Sequence, residues 1–301
     1  MKIAMMGSGG VGGYYGARLA QAGHEVSFIA RGAHAAAMHS KGLVIKSELG
    51  DAHLEGVRVF EDPAQVGPVD LVVLAVKVWD SEAAANQIKP LIGPGTVAVS
   101  LQNGIDKDEV LARAVGREHV LGGTTHVAAV IAEPGVIAHT GKLQRVTLGE
   151  LDGSRTRRLE AAVAAFKSAG VEATASDEIR RLTWEKFVFL TAVSGMTALT
   201  RKPIGPIREN PVTRAMLADA LREAAALAGA EGCPVDAARQ LQLVDSLAPG
   251  MFSSMAQDLL RGRRLELDWL SGAVVRRAQA HGVAVPAHRA IYAALVLSAQ
   301  P

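Results

Sequence analysis

KIAMMGSGGVGGYYGARLAQA, residues 2–22, places an apolar strand, a glycine-rich loop and a helical segment directly after one another. The glycines at positions 7, 9 and 12 form the pattern GxGxxG. In this pattern the first glycine permits a tight turn, the second lets the backbone approach a pyrophosphate, and the third lets the helix pack closely on the strand. The N–H groups and the dipole at the start of a helix also favour an anion. The sequence therefore predicts a dinucleotide-binding loop made of Gly7, Ser8, Gly9, Gly10, Val11 and Gly12.

The end of the second strand indicates which dinucleotide the loop binds. An NAD site normally places Asp or Glu there, about 20 residues beyond the glycines, to bind the ribose 2′-hydroxyl. The sequence instead reads Ile29-Ala30-Arg31-Gly32, which contains no carboxylate. A guanidinium can form a charge-assisted fork with a 2′-phosphate. We therefore expect Arg31 to contact that phosphate and the cofactor to be NADP(H).

The first half of the chain alternates uncharged, Val-rich runs with helical patterns, which is the βαβ rhythm of a parallel sheet covered on both faces. After about residue 176 the strand signal disappears, and Ala/Leu-rich helical patterns follow to the end. We predict an α/β fold with a Rossmann-like, parallel-sheet dinucleotide-binding domain over residues 1–172 and an all-α domain over residues 173–301. The predicted strands span 2–6, 25–31, 70–77 and 96–101, and residues 127–148 read as strands joined by turns at Pro134-Gly135 and Gly141. The predicted helices span 11–22, 81–91, 178–199, 214–229, 235–247, 254–260, 267–281 and 287–298.

Composition argues against several other classes of protein. Lys plus Arg total 32 against 30 Asp plus Glu, a net charge of +2, which does not indicate a nucleic-acid or membrane surface. No apolar run approaches the roughly 18 residues of a membrane span. One cysteine and nine scattered histidines show no metal-binding spacing, so no metal is expected. The apolar residues that start at Ile3 are followed at once by glycines, which leaves no room for the regions of a signal peptide. We therefore expect no signal peptide and predict a soluble, cytoplasmic protein.

Two polar side chains follow later strands of the predicted sheet. Lys77 ends Ala75-Val76-Lys77, and Asn103 lies in Gln102-Asn103-Gly104. In open α/β sheets, the carboxyl ends of the strands line the ligand crevice. We therefore expect both residues to lie beside the glycine loop and to contribute to the site.

The chain carries a series of short motifs that together resemble the ketopantoate reductase (2-dehydropantoate 2-reductase) family. The likeness spans nearly the whole chain, and the two motifs nearest its end are the most specific. Besides the glycine loop and the Arg after the second strand, the motifs are Ala75-Val76-Lys77, Gln102-Asn103-Gly104, His139-Thr140-Gly141, Trp184-Glu185-Lys186, Ser253-Ser254-Met255-Ala256-Gln257-Asp258 and Arg264-Leu265-Glu266-Leu267-Asp268.

The resemblance implies NADPH-dependent reduction of a 2-oxo acid to a 2-hydroxy acid, with ketopantoate as the default substrate and pantothenate biosynthesis as the setting. Hydride transfer to a ketone develops negative charge on its oxygen, so a nearby proton donor lowers the barrier. The family's catalytic lysine matches Lys186, the general acid, and its active-site glutamate matches Glu266, which would position the lysine and the cofactor. Ser254 would bind the substrate carboxylate. Asn103 and Lys77 would orient the nicotinamide ribose and the reacting carbonyl.

The chain departs from the family pattern at four positions where ketopantoate-reducing members typically carry asparagine. These positions read Leu190, Ser194, Ile204 and Met251. Since Lys186, Leu190 and Ser194 are spaced four residues apart, they share one helix face. We therefore expect Leu190, Ser194 and Met251 to line a substrate pocket that is less polar than the typical one.

Three alternatives to ketopantoate reduction remain open. A more apolar 2-oxo acid fits the four departures. A 3-hydroxyacid dehydrogenase of the hydroxyisobutyrate type has a similar two-domain plan but lacks the signature over residues 253–268. A non-catalytic NADPH-binding regulator would not need Lys186 or Glu266. The resemblance also implies a homodimer formed through the helical domain.

Overall fold

The computed structural model describes residues 1–300. The chain divides into two compact units, the first spanning Met1–Ile179 and the second beginning at Arg180. The sequence places this division at residue 172. The difference arises because the last strand, Glu172–Ala175, pairs in parallel with the strand Val136–Gly149 and so belongs to the sheet of the first unit.

Strands and helices alternate through the first unit. Its strands are β1 (Lys2–Met6), β2 (Glu25–Ile29), β3 (Leu43–Ser47), β4 (Ala52–Leu54), β5 (Arg58–Phe60), β6 (Leu71–Leu74), β7 (Val97–Ser100), β8 (Val120–Glu133), β9 (Val136–Gly149) and β10 (Glu172–Ala175). Its helices are α1 (Gly10–Gln21), α2 (Gly32–Lys41), α3 (Ser81–Gln87), α4 (Lys107–Val115) and α5 (Arg157–Ser168).

The strands form one sheet in the order β4-β3-β9-β8-β7-β6-β1-β2-β5, with β10 also paired to β9. The pairs among β5, β2, β1, β6, β7 and β8 are all parallel. Alternate residues of β1 belong to different cores, with Ile3 and Met5 on one face of the sheet and Ala4 and Met6 on the other. A parallel strand that is buried on both faces needs consecutive apolar residues, and the sequence of β1 has them.

β8 and β9 form a long antiparallel hairpin closed by the turn Pro134-Gly135. The turn at this dipeptide is confirmed. The sequence also predicts a strand-ending turn at Gly141, but β9 continues through this residue. The register shifts there, from Val127 opposite Gln144 to Ala129 opposite His139, and Gly141 adopts a φ of 74°. A left-handed glycine therefore accommodates an irregularity within the strand instead of ending it.

The helices of the second unit begin with α6 (Ile179–Thr200), whose first residue lies in the first unit. The remaining helices are α7 (Ile204–Glu209), α8 (Pro211–Ala230), α9 (Ala237–Asp245), α10 (Ser254–Leu260), α11 (Ser271–His281) and α12 (Pro286–Leu295). The sequence predicts each of them except the short α7. The predicted fold class, a parallel-sheet dinucleotide-binding domain followed by a helical domain, is therefore confirmed.

A buried polar cluster joins α8 to the start of α12. Both oxygens of the Glu223 carboxylate accept backbone N–H groups, from Ala287 at 2.8 Å and His288 at 3.0 Å. The His288 Nε2 lies 2.9 Å from the Ala220 carbonyl oxygen. Burial lowers the pKa of His288 to about 4, so the ring is neutral at neutral pH. The cluster thus satisfies the first N–H groups of α12 inside an apolar core.

No helix within residues 1–300 combines the length and apolar character needed to cross a membrane.

Candidate active site

The glycine loop lies at the carboxyl edge of the parallel sheet, where β1 ends and α1 begins. Two of its glycines are required because the loop, its helix and the strand ends approach one another closely. A β-carbon on Gly12 would collide with the carbonyl oxygen of Gly7, and one on Gly7 would lie 2.7 Å from the Val76 backbone nitrogen. The turn and the helix therefore pack directly against the strand ends, as the GxGxxG pattern predicts.

The other two glycines of the loop face different surroundings. A β-carbon on Gly9 would have no heavy atom within 4 Å, whereas one on Gly10 would collide with the Ala129 carbonyl oxygen of the β8–β9 hairpin. Gly9 therefore faces open space at the N-terminus of α1, and Gly10 lets the hairpin approach the loop. The open side at Gly9 suits a pyrophosphate, which needs close access to backbone N–H groups.

The remaining loop side chains point inward. The Ser8 hydroxyl is buried and donates to the Ile29 carbonyl oxygen at 3.1 Å, and the Gly7 N–H donates to the same oxygen at 3.2 Å. Val11 packs against the core beneath the sheet. Ser8 therefore offers a dinucleotide its backbone and not its hydroxyl, whereas Val11 is only half-buried.

Arg31 occupies the N-cap position of α2, just after β2, and is exposed. Its guanidinium donates to the Gln87 side-chain oxygen at 2.7 Å. Gln87 ends α3, which follows β6, and β1 lies between β6 and β2 in the sheet. The bond therefore spans two strand positions and limits where the guanidinium can lie. Sequence reasoning missed Gln87, since a polar residue at a helix end carries no local signal of this contact.

Lys77 and Asn103 follow β6 and β7, which are neighbours in the sheet, so both lie at its carboxyl edge. Lys77 is exposed, with Nζ 5.5 Å from the centre of the Trp79 ring, and Asn103 is half-buried. Gln102 connects the two strand ends, because its amide nitrogen donates to the Val76 carbonyl oxygen at 2.9 Å and contacts the Ser81 hydroxyl oxygen at 2.8 Å. The glutamine of the Gln-Asn-Gly motif is thus a structural link that sequence reasoning left without a role.

In the helical unit, Lys186 is half-buried on α6. Trp184 and Phe187 on either side of it are buried and stack edge to face, with ring centres 5.6 Å apart. These apolar neighbours anchor the helix in the core. Leu190 is also half-buried, and Ser194 is buried.

The two serines of the motif that begins at Ser253 lie in different surroundings. Ser253 is buried, accepts the Ala256 N–H at 3.0 Å as the N-cap of α10, and shares a 2.8 Å hydrogen bond with the Thr197 hydroxyl. Ser254, the next residue, is exposed. The Thr197 contact fixes the start of α10 against α6, the helix that carries Lys186.

Glu266 is buried and directly precedes the short helical turn Leu267–Trp269. Asp268 in that turn accepts a hydrogen bond of 2.7 Å from the Tyr292 hydroxyl, and this bond raises the pKa of Tyr292. The turn is therefore anchored to α12 by Asp268, which leaves Glu266 in a fixed backbone position.

The four positions that depart from the family pattern lie in two places. The Ile204 N–H donates to the Met251 carbonyl oxygen at 3.0 Å, which brings these two residues together. Ile204 is buried, and Met251 is half-buried. On α6, the hydroxyls of Ser194 and nearby Thr191 are buried without a hydrogen-bond partner.

Among residues 1–300 no group of three His, Cys, Asp or Glu side chains could bind a metal ion.

The first unit carries a glycine loop of the dinucleotide-binding type, and the helical unit carries a lysine, a glutamate and a serine motif. Two family models, described as ketopantoate reductase PanE/ApbA and its C-terminal part, match residues 3–153 and 178–298. The chain belongs to the ketopantoate reductase family.

Relatives of known name cover nearly the whole chain. It is 33% identical over 294 residues to a 2-dehydropantoate 2-reductase of Halobacterium salinarum, covering 97% of this chain and 96% of that protein. It is 32% identical to an uncharacterized oxidoreductase, YkpB, of Bacillus subtilis, covering 98% of each chain. The crystal structure of a PanE/ApbA family ketopantoate reductase from Ralstonia eutropha has a TM-score of 0.91 at 35% identity, covering 99% of this chain and 98% of the other.

We expect alanine to affect stability at Gly10 and dinucleotide binding at its neighbour Gly9. Gly10→Ala should lower the melting temperature by several degrees, because its β-carbon meets backbone of the β8–β9 hairpin. Gly9→Ala should leave the melting temperature unchanged and weaken dinucleotide binding, because its β-carbon enters the open side. Thermal unfolding and dinucleotide titration of both variants test this. Equal melting temperatures for the two variants would contradict the assigned packing.

Proposed function

We propose that the chain reduces a 2-oxo acid to a 2-hydroxy acid with NADPH, with 2-dehydropantoate (ketopantoate) as the default substrate and pantoate as the product. The observation that carries the proposal is a family match over both units, together with Lys186, Ser254 and Glu266 at the family's functional positions. The relatives named 2-dehydropantoate 2-reductase support the same reaction.

The residues of the first unit fit a nicotinamide dinucleotide. The open side at Gly9 gives a pyrophosphate access to the start of α1, and Arg31 at the end of β2 offers a guanidinium to a 2′-phosphate. Lys77 and Asn103 lie at the same sheet edge and orient the nicotinamide ribose and the reacting carbonyl. When bound, NADPH supplies the hydride.

The residues of the second unit supply acid chemistry and substrate binding. The Lys186 ammonium hydrogen-bonds the ketone oxygen and gives it a proton as negative charge develops there. The Glu266 carboxylate positions Lys186 and the cofactor. The exposed hydroxyl of Ser254 binds the substrate carboxylate.

The four departures favour a second candidate substrate, a more apolar 2-oxo acid. Leu190 and Met251 offer no hydrogen bond, and the Ser194 hydroxyl is the single donor among the four side chains.

Simple assays distinguish two other candidate functions from reduction of a 2-oxo acid. A 3-hydroxyacid dehydrogenase would oxidise 3-hydroxyisobutyrate with NAD, and a non-catalytic regulator would bind NADPH without oxidising it in the presence of any 2-oxo acid.

The family also supports a homodimer formed through the helical unit, a cytoplasmic location and a place in pantothenate biosynthesis; these remain proposals.

The decisive experiment for the reaction measures the loss of NADPH absorbance with a panel of 2-oxo acids. Turnover of ketopantoate or of an apolar analogue supports the proposal, and no turnover of any member would contradict it.

Arg31→Ala should weaken NADPH binding by roughly 10- to 150-fold, because losing a hydrogen bond to a charged group costs about 1.5 to 3 kcal/mol. Binding of NADH, which lacks the 2′-phosphate, should change little. Titration of both cofactors measures this, with Arg113→Ala, an exposed arginine on α4, as the control. Equal weakening of the two cofactors would show that Arg31 does not contact the 2′-phosphate.

Lys186→Ala should lower kcat by roughly 10²- to 10⁴-fold, the usual contribution of a positioned general acid, while NADPH still binds. Steady-state kinetics on the best substrate of the panel test this. Lys202→Ala, at an exposed lysine of the same unit, is the matched control. A Lys186→Ala enzyme that keeps more than half of its turnover would remove this residue from the mechanism.

The preference for ketopantoate over 3,3-dimethyl-2-oxobutanoate, which lacks only its hydroxyl, measures the polarity of the pocket. A site built to bond a hydroxyl rejects such an analogue by roughly 10⁴- to 10⁵-fold, and an apolar site discriminates by about 10². We expect a ratio of kcat/KM below about 10² here, and a larger ratio in Leu190→Asn and Met251→Asn. A ratio of about 10⁴ in the unmodified protein would contradict the apolar pocket.

A further inference from the structure

His34 joins three segments of the dinucleotide-binding unit that are distant in sequence. It lies in α2, three residues after Arg31, and is half-buried. Its Nε2 is 2.9 Å from the Ser8 carbonyl oxygen in the glycine loop. Its Nδ1 accepts the Gly135 N–H, in the turn of the β8–β9 hairpin, at 3.0 Å.

These two partners determine which ring nitrogen carries the proton. A carbonyl oxygen only accepts, so Nε2 must carry a hydrogen, and a backbone N–H only donates, so Nδ1 must present its lone pair. Both bonds therefore require the neutral imidazole protonated at Nε2. Burial lowers the pKa of His34, which favours this neutral form.

The bond to Ser8 fixes the plane of the peptide between Ser8 and Gly9. In a planar trans peptide the carbonyl and the following N–H point in opposite directions. With the Ser8 carbonyl directed at His34, the Gly9 N–H is directed away from the ring. Gly9 is the N-cap of α1 and has open space around its α-carbon. Donation to the Ser8 carbonyl also polarises this peptide and makes its N–H a stronger donor.

The bond to Gly135 fixes the ring from its other side. The Gly135 carbonyl oxygen accepts the Val44 N–H at 2.9 Å, so β3 also holds the hairpin turn. A β-carbon on Gly135 would lie 3.1 Å from the Ala37 β-carbon, so the turn packs closely on α2. The imidazole is therefore held between an anchored turn and the glycine loop, and it cannot rotate without losing a bond.

We propose that His34 is a positioning residue for the cofactor, which orients the Ser8–Gly9 peptide so that its N–H is directed at the pyrophosphate. This inference rests on the proposed use of a nicotinamide dinucleotide. It assigns His34 to the pyrophosphate, which NADPH and NADH share, whereas Arg31 is assigned to the 2′-phosphate, which only NADPH carries.

Three substitutions at His34 separate the two bonds. His34→Leu removes both, and His34→Asn keeps an acceptor near the Nδ1 position for Gly135 but has no atom that reaches Ser8. His34→Gln has an amide N–H at about the reach of Nε2, so it keeps a donor for the Ser8 carbonyl oxygen, but both of its polar atoms lie beyond the Nδ1 position that accepts the Gly135 N–H. His39→Leu, at an exposed histidine of the same helix, is the matched control.

Titrations of NADPH and NADH, with melting temperatures and kcat at saturating cofactor, test the inference. His34→Leu and His34→Asn should weaken both dinucleotides by roughly 10-fold, the effect of losing about one hydrogen bond and leaving its partner unsatisfied. The melting temperature of His34→Asn should stay close to that of the unmodified protein. At saturating cofactor, its kcat should change less than about twofold. His34→Gln should keep most of the affinity for both dinucleotides.

Normal binding of both dinucleotides by His34→Asn would overturn the inference and leave the proposed function intact. So would a loss confined to NADPH, because it would assign His34 to the 2′-phosphate. If the unmodified protein bound neither dinucleotide, the proposed function and this inference would both fail.

Discussion

Close backbone packing around the glycine loop is the constraint on which the site depends. The Gly7 carbonyl meets α1 at Gly12, and the Ala129 carbonyl of the hairpin meets Gly10. Side chains at these positions would separate the helix, the strand ends and the hairpin. Since backbone occupies these sides of the loop, the open side at Gly9 is left for a ligand. The same packing brings the start of α1 close to the sheet edge at which β6 and β7 end.

The helical unit uses its motif residues in two distinct ways. Ser253 caps α10 and bonds to Thr197, and Asp268 bonds to Tyr292, so these two polar side chains are engaged inside the unit. Ser254, directly beside Ser253, is exposed. A buried polar group is costly unless it is hydrogen-bonded, so Ser253 and Asp268 stabilise the unit through their hydrogen bonds, while Ser254 stays at the surface.

Local sequence patterns predict the elements that have a strong local signal. The Gly7–Gly12 loop, the apolar strands of the parallel sheet and most helices of the second unit follow from periodicity and glycine spacing. Short edge strands such as β4 and β5 were missed because three residues carry too little periodicity to detect. The contacts of His34, 26 and 101 residues away in sequence, leave no local pattern at all. Identifying the residues that support the glycine loop therefore required the three-dimensional structure.

The substrate is the property that the sequence determines least, and the structure gives the physical reason. Leu190 and Ser194 belong to α6, Ile204 begins α7, and Met251 precedes α10, so the four positions come from three segments, two of which are joined by the hydrogen bond from Ile204 to Met251. The Ser194 hydroxyl is the only hydrogen-bonding side-chain group among them, and it is buried without a partner. Apolar shape discriminates weakly, since one methylene is worth about 1–3 kcal/mol, while a site that bonds a substrate hydroxyl discriminates far more strongly. Under the proposed function, in which these positions line the substrate pocket, the choice among 2-oxo acids depends on whether the single Ser194 hydroxyl reaches the substrate.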